Sequence, residues 1–276
     1  MKWLLWAILL TGLASTAAHG EQNPSTEFER SNAIEISQGA IGNQVGNHHF
    51  FTSLGQRVSL NEYRGKPLVI SLIYTSCYHI CPTTTQHLDK VVRKAYSVLG
   101  KDTFNVVSIG FDTVNDTADS MRIFAHQQGI DAENWTFLST DKQTIASLAK
   151  DIGFQFFPSP RGFDHLLQST ILDANGVVRR QVYGMQFDTP HMIEPLKQLL
   201  FGEKPSQSLF QQISNKIRLF CTVYDPYSDT YRFDYSIFVG LFIGLSMGGL
   251  MLFLFAKEWR FSKVTEKNLS KKKVGP

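Results

Sequence analysis

Apolar residues along this chain fall into two kinds of run. Pro67–Tyr74 (PLVISLIY), Phe104–Phe111 (FNVVSIGF) and Trp135–Thr140 (WTFLST) are continuous, β-favouring stretches without polar alternation, the mark of strands buried on both faces. Between them apolar side chains recur at helical spacing. Leu88, Val91, Val92, Ala95 and Leu99 make one stripe, stopped by Gly100. Asp116 is placed to cap a second helix that stops near Gly129, and Thr140 to open a third with Ile145, Leu148 and Ile152 on one side, ended by Gly153. Leu166–Tyr183 then reads as two strands around an Asp-Ala-Asn-Gly turn. Thr189-Pro190 supplies an N-cap and a first-turn proline for a helix running to about Phe201, before Gly202.

The order is thus strand, helix, strand, helix, strand, helix, hairpin, helix. Parallel crossovers followed by an antiparallel hairpin and a closing helix predict an α/β, thioredoxin-like fold, a central mixed sheet flanked by helices, over residues 41–203.

The two ends follow other rules. Residues 1–20 combine one lysine, an apolar run from Trp3 to Leu13 and small residues around Ala18, the plan of a cleavable export signal peptide, with an uncleaved anchor as the rival reading. Residues 21–40 are polar and read as a flexible tether. Residues 204–234 carry Leu209, Ile213, Ile217 and Phe220 near helical spacing and read as an amphipathic juxtamembrane connector. Tyr235–Ala256 holds no charge over about 22 residues, enough to cross a bilayer core of about 30 Å, and reads as a transmembrane helix that contacts membrane lipid. Lys257, Arg260, Lys263, Lys267, Lys271, Lys272 and Lys273 outnumber Glu258 and Glu266 in the tail 257–276. The positive-inside rule therefore puts this tail in the cytoplasm and the domain on the periplasmic or outer side of a bacterial-type membrane.

Composition narrows the function. Of 276 residues 43% are hydrophobic, enough for one domain plus extensions. Lys and Arg total 27 against 24 Asp and Glu, a net charge of +3 that gives no reason to invoke nucleic acid. Three cysteines are too few for a disulfide-stapled scaffold, so an exported chain that sets two of them at the end of a central strand has a special use for them. These are Cys77 and Cys81, in TSCYHICP.

A helix N-terminus favours the thiolate, and the spacing permits either a shared soft metal ion or a redox disulfide. The structural alternative is a pair of small buried hydrophobes. C-x-x-x-C is neither the C-x-x-C of thioredoxin-type enzymes nor the C-x-x-C-H of haem attachment. Thiolates select Cu(I) and imidazole accepts Cu(I) or Cu(II), so a nitrogen ligand would let one site hold both. Of eight histidines, His19 leaves with the signal, and His48 and His49 lie near the start of a strand. His87 and His126 sit in predicted helices, His191 reads as structural, and His79 should point away from the thiols. His165, in RGFDHLLQST, stands at the junction that begins the hairpin and would face the end of the first helix.

Taken together, GKPLVISLIYTSCYHICPTTT, VVSIGFDTVNDT and FDHLLQSTILDANGVV resemble the Sco/SenC family of membrane-anchored, thioredoxin-like copper proteins, from about Ile41 to Leu200. The resemblance implies copper, as Cu(I) or Cu(II), on Cys77, Cys81 and His165. It also implies delivery to, or thiol preparation of, the CuA site in cytochrome c oxidase subunit II or another exported copper or redox partner. Tyr78 replaces the family's usual proline and His79 a frequent acidic residue, Phe111-Asp112 lacks the following proline, and the anchor lies at the C-terminus. Asp164 could orient the imidazole, although a solvated carboxylate fits as well. Cys221 reads as a structural or spare thiol. Two rival functions use the same cysteines: a thiol:disulfide oxidoreductase acting on exported proteins without metal transfer, and a peroxiredoxin-like peroxidase. The second normally needs a threonine where Tyr78 stands.

Overall fold

In the computed structural model, which describes residues 28–130, 133–202, 222–226 and 228–272, the chain opens with helix α1 (Arg30–Gly39). An edge hairpin of β1 (His49–Thr52) and β2 (Arg57–Ser59) follows. A 3-10 turn at Leu60–Tyr63, capped reciprocally by Ser59 and Glu62, leads into β3 (Leu68–Ile73), which is buried along its whole length. The crossovers come next: α2 (Ile80–Leu99), β4 (Asn105–Gly110), α3 (Ala118–Gln127), β5 (Trp135–Ser139) and α4 (Lys142–Ile152). A short hairpin of β6 (Phe156–Ser159) and β7 (Gly162–His165) precedes the longer one of β8 (Gln168–Leu172) and β9 (Val178–Tyr183), and α5 (Pro190–Gly202) closes the domain.

Seven strands form the central sheet in the order β2-β1-β5-β4-β3-β8-β9. β3, β4 and β5 are parallel, with Leu68 opposite Asn105 and Val106 opposite Trp135, while β8 runs antiparallel to β3 with Leu68 opposite Leu172. Parallel strands need their crossover helices on the faces, which is why these three read as uninterrupted apolar runs. The core lies on both sides of β3 and β4, where Ile70, Val107, Ile109, Leu88, Val92, Leu138 and Leu148 are fully buried.

Four expectations change. Part of the presumed tether is α1, stapled to the sheet by buried polar groups. The Ser37 hydroxyl donates to Gln168 Oε1 at 2.9 Å and accepts from the Tyr183 hydroxyl at 2.8 Å, while Gln181 Nε2 donates to the carbonyls of Ser37 at 3.2 Å and Ile152 at 2.9 Å. Gly153 makes this packing possible: it ends α4 at φ +66, and a Cβ there would lie 2.6 Å from the Ile36 carbonyl oxygen. The α4 cap is Asp141 rather than Thr140, its carboxylate accepting from the amides of Gln143 and Thr144, each at 2.9 Å. The third change is the cap of α3, described with the site.

The fourth concerns the connector. Its residues 204–221, including Cys221, lie outside the described residues, as do residue 203, the signal peptide and residues 21–27. Its last part is a hairpin that the sequence pattern did not announce, β10 (Thr222–Asp225) and β11 (Thr230–Phe233), while Leu209, Ile213, Ile217 and Phe220, on which the amphipathic reading rests, lie outside the described residues. Asp229, at φ +46, takes hydrogen bonds from Lys94 of α2, from the Thr189 hydroxyl at 2.8 Å and from the Tyr224 hydroxyl at 3.0 Å. Tyr231 packs on the core and donates to Glu194 at 3.1 Å.

Helix α6 (Ser236–Lys272) follows, 37 residues long, so the tail to Lys272 continues the apolar helix instead of leaving it. Within it Phe238–Phe255 has a mean hydropathy of 2.2 and none of it is buried against the fold. By length and composition this is the one candidate membrane span among the described residues.

Candidate functional site

The site is built where β3 ends. The chain turns at Tyr74, whose carbonyl accepts from the Cys77 amide at 3.2 Å, and enters α2 at Ile80. A buried carboxylate from the loop that follows the neighbouring parallel strand β4 holds this turn. Asp116 Oδ1 accepts from the amide and the hydroxyl of Thr75, both at 2.7 Å, and Oδ2 from the Asp112 amide at 2.8 Å. Asp116 is 1% exposed, and burial pushes its carboxyl above the usual carboxylate range despite these bonds. It approaches β4 so closely that a Cβ on Gly110 would lie 2.4 Å from its own Cβ. Asp116 therefore does not cap α3. Thr117 does, its hydroxyl accepting from the Ser120 amide at 3.2 Å. The sequence pattern pointed to Asp116 as the cap, and only the fold shows that this residue turns inward and leaves the role to Thr117.

Cys77 and Cys81 are free thiols, 9% and 4% exposed. Their residues are tied directly, the Cys81 amide in the first turn of α2 donating to Cys77 Sγ at 3.4 Å. Cys77 is drawn down to a pKa of about 4, above all by the Cys81 thiol donating to its sulfur, against the opposing effect of burial. The amides of Cys81 and His79 and the Tyr74 hydroxyl add to the stabilisation. Cys81 is pushed up strongly by its donation to Cys77 and by burial. The two shifts run in opposite directions, so the pair favours a thiolate on Cys77 hydrogen-bonded by the Cys81 thiol.

His165 ends β7, in the short β6–β7 hairpin that precedes the longer one expected from the sequence. Pro158 and the four-residue strands hid it; the turn-rich SPRG, Ser159–Gly162, was the available signal. Three aromatic rings enclose the imidazole, those of Tyr74, Phe111 and Phe154 at centroid distances of 5.9, 5.3 and 5.6 Å. Nδ1 lies 2.8 Å from the Leu166 carbonyl oxygen. A carbonyl only accepts, so Nδ1 carries the proton and Nε2 keeps its lone pair. Burial holds the pKa of His165 below the ordinary value, which keeps the ring neutral. Its orientation thus comes from a backbone carbonyl, while Asp164 is exposed on the other face of the strand.

The two sulfurs come together as expected; the imidazole stands apart from them. Among the described residues no three His, Cys, Asp or Glu side chains are grouped closely enough to hold a metal ion as they stand. His165 nonetheless feels the Cys77 charge, and Tyr74 touches both halves of the site. The donor set suits a soft ion: an ionised sulfur, a second sulfur beside it and a neutral imidazole with a free nitrogen. The other described histidines are engaged elsewhere or exposed. His48 Nε2 meets Asp151 Oδ2 at 2.7 Å, His87 Nε2 meets the Phe187 carbonyl at 2.8 Å, and His49, His79, His126 and His191 face solvent.

Known proteins resemble this chain in sequence and in fold. A curated relative, the SCO1 protein homolog of Bacillus subtilis (strain 168), is 25% identical over 141 residues, covering 50% of this chain and 72% of the relative. The structure of BsSco, described as a member of the Sco family of cytochrome c oxidase assembly proteins, matches with a TM-score of 0.53 at 21% identity, over 59% of this chain and 96% of that one. Copper-bound ScoI of Arabidopsis thaliana matches with a TM-score of 0.51 at 18% identity, over 58% of this chain and 99% of that one. At these identities the structural matches speak for the fold. The SCO1/SenC family model matches residues 39–200, more than half of the chain, a span that contains the whole central sheet, the cysteine turn and the β6–β7 hairpin. This chain belongs to the SCO1/SenC family.

Proposed function

We propose that this chain is a membrane-anchored copper-binding protein that takes the ion on Cys77, Cys81 and His165. It delivers copper to, or reduces the cysteines of, the CuA site of cytochrome c oxidase subunit II. The observation that carries the reading is the donor set: a Cys77 thiolate paired with the Cys81 thiol, and His165 locked in the tautomer that leaves Nε2 free. Soft thiolates favour Cu(I), and the imidazole extends the set to Cu(II). Copper bound to relatives such as ScoI of Arabidopsis supports the same cargo here. The apolar stretch Phe238–Phe255 and the basic residues behind it support a single C-terminal span, with the domain of residues 41–203 outside the cytoplasm after export by residues 1–20.

The test is competition for Cu(I) between the reduced protein and a chromogenic chelator. One ion per chain is expected, lost in Cys77→Ser and Cys81→Ser and weakened about 10- to 100-fold in His165→Ala. No Cu(I) uptake by the reduced wild type would sink the reading.

A second reading rests on the asymmetry of the pair. A thiolate at Cys77 beside a protonated Cys81 is the arrangement of a thiol:disulfide oxidoreductase, one sulfur attacking and the other resolving. Restored oxidase assembly in a deletion strain carrying His165→Ala, together with none in Cys77→Ser, would favour thiol chemistry over metal delivery.

A further inference from the structure

Strand β9 is an edge of the central sheet, and it is bulged. Arg180 stands opposite Ile171 and Val178 opposite Leu172, so Arg179 is one residue too many for its partner strand. The bulge breaks the alternation of faces, and both arginines are exposed. They line one wall of a groove of about 550 Å³ whose other wall is α5, with Pro190, His191, Glu194, Pro195 and Leu199. Asp173 fixes Arg179, its Oδ2 accepting from Nε at 2.8 Å and from Nη2 at 2.7 Å. Glu194, the carboxylate in the helix wall, accepts from the Tyr231 hydroxyl at 3.1 Å and faces Lys197 Nζ at 3.9 Å. The Arg180 side chain and the His191 ring have no hydrogen bond or ion pair among the described residues. A bulge and charges also blunt an edge strand against pairing, but that needs neither the groove nor the helix wall. A guanidinium without a counter-ion in a concave, half-apolar groove is open to an anionic ligand.

We propose that this groove binds the phosphodiester of an anionic phospholipid, with Arg180 and Arg179 on the phosphate oxygens, His191 as a further donor, and Pro190, Pro195 and Leu199 against the apolar part of the molecule. Guanidinium groups match phosphate oxygens in charge and in fork geometry. The source of the phosphate follows from where the groove lies. Glu194 in its wall is joined to Tyr231 of the β10–β11 hairpin, and the chain from Tyr231 to Phe238, where the apolar stretch begins, reaches at most about 25 Å. This tether keeps the groove close to the headgroup layer that borders the hydrocarbon core. The inference rests on α6 being the membrane span, the reading given above. A lipid phosphate on Arg180 seats the domain on the bilayer by its α5–β9 side, a second attachment beside the span.

The test titrates the full chain in a neutral detergent with one probe at a time: dihexanoyl phosphatidylglycerol, dihexanoyl phosphatidylcholine, inorganic phosphate and hexaglutamate. Amide exchange in α5 reads occupancy of the groove itself, so anionic lipid collected by the basic tail does not count. Phosphatidylglycerol should slow this exchange saturably, with an affinity at least ~10-fold above that of phosphatidylcholine. Arg180→Gln should weaken it about tenfold and Arg180→Glu abolish it, with melting temperatures unchanged because Arg180 has no partner to lose among the described residues. Phosphatidylglycerol binding by Arg180→Gln within twofold of wild type overturns the inference. So does equal or tighter binding of inorganic phosphate, which makes the groove a site for a soluble anion, or tighter binding of hexaglutamate, which gives it to an acidic protein partner. Release of the full chain from vesicles by alkaline carbonate sinks the span reading instead, and the Arg180 variants still decide whether the groove holds the lipid.

Discussion

Asp116 offers the sharpest test of how the fold holds the cysteine turn. Asp116→Ala leaves three groups without their acceptor: the Thr75 amide, the Thr75 hydroxyl and the Asp112 amide. Each orphaned buried donor costs about 1–3 kcal/mol. Part of that is offset because a carboxylate penalised by burial is removed at the same time, so a net loss of about 2–4 kcal/mol is expected. Asp116→Asn should cost only about 1 kcal/mol, since the retained Oδ1 is the atom that accepts both Thr75 bonds and only the bond to Asp112 is lost. The sign of the pH dependence follows from the raised folded-state pKa. Asp116 contributes its full stability below the ordinary carboxyl value of 3.8, and this contribution is lost as pH rises through the folded value. The wild type's advantage over Asp116→Asn should therefore shrink from acid toward neutral pH. Urea unfolding followed by the fluorescence of buried Trp135 measures all three proteins, and the pH profile of Cys77 alkylation reports whether the turn has moved. Asp116→Ala within 0.5 kcal/mol of wild type, on the order of the usual effect of surface changes, would refute the reasoning. So would a destabilised Asp116→Ala whose Cys77 profile is unchanged, because the carboxylate would then serve stability alone.

Other measurements bear on the rest of the site. Uptake of Cu(I) by two thiolates must expel the Cys81 proton but none from Cys77, whose pKa is about 4, so affinity should rise about tenfold per pH unit between about pH 5 and 8; a slope of two would mean that both thiols start protonated. Cys81→Ala removes the main donor to Cys77 and should raise the alkylation midpoint from about 4 toward the ordinary thiol value of 9.0, while Cys81→Ser, which keeps a hydroxyl donor, should raise it less. Asp229→Ala releases Lys94, Thr189 and Tyr224 together. Amide exchange across residues 222–233 should quicken by at least ~10-fold while global stability changes by less than about 1 kcal/mol, because the ion pair is solvent-exposed; unchanged exchange would show that the hairpin is held by Tyr231 instead.

Much of this protein is written locally. β3, β4 and β5 were legible because strands buried on both faces read as nearly continuous apolar runs, interrupted only by small or β-branched polar residues such as Ser71, Ser108 and Thr136, and the stripe from Leu88 to Leu99 because a helix packed on them repeats every three to four residues. Cys77 and Cys81 could be named because they are neighbours in sequence. His165 could be singled out by its place before the hairpin but made a ligand only through family resemblance, since its closeness to the cysteine turn comes from the long-range pairing of β3 and β8, with Ser71 opposite Ser169.

What tertiary structure alone decided is which polar groups turn inward. Nothing local separates Asp116 from Thr117 as a helix cap, marks Ser37 as a buried acceptor rather than part of a polar tether, or tells that Leu166 and not Asp164 orients the imidazole. Each answer depends on a partner tens of residues away or on the face a short strand presents. An apolar periodicity records that a surface is buried; a lone hydroxyl, carboxylate or phenol records nothing until the fold brings its partner within about 3 Å.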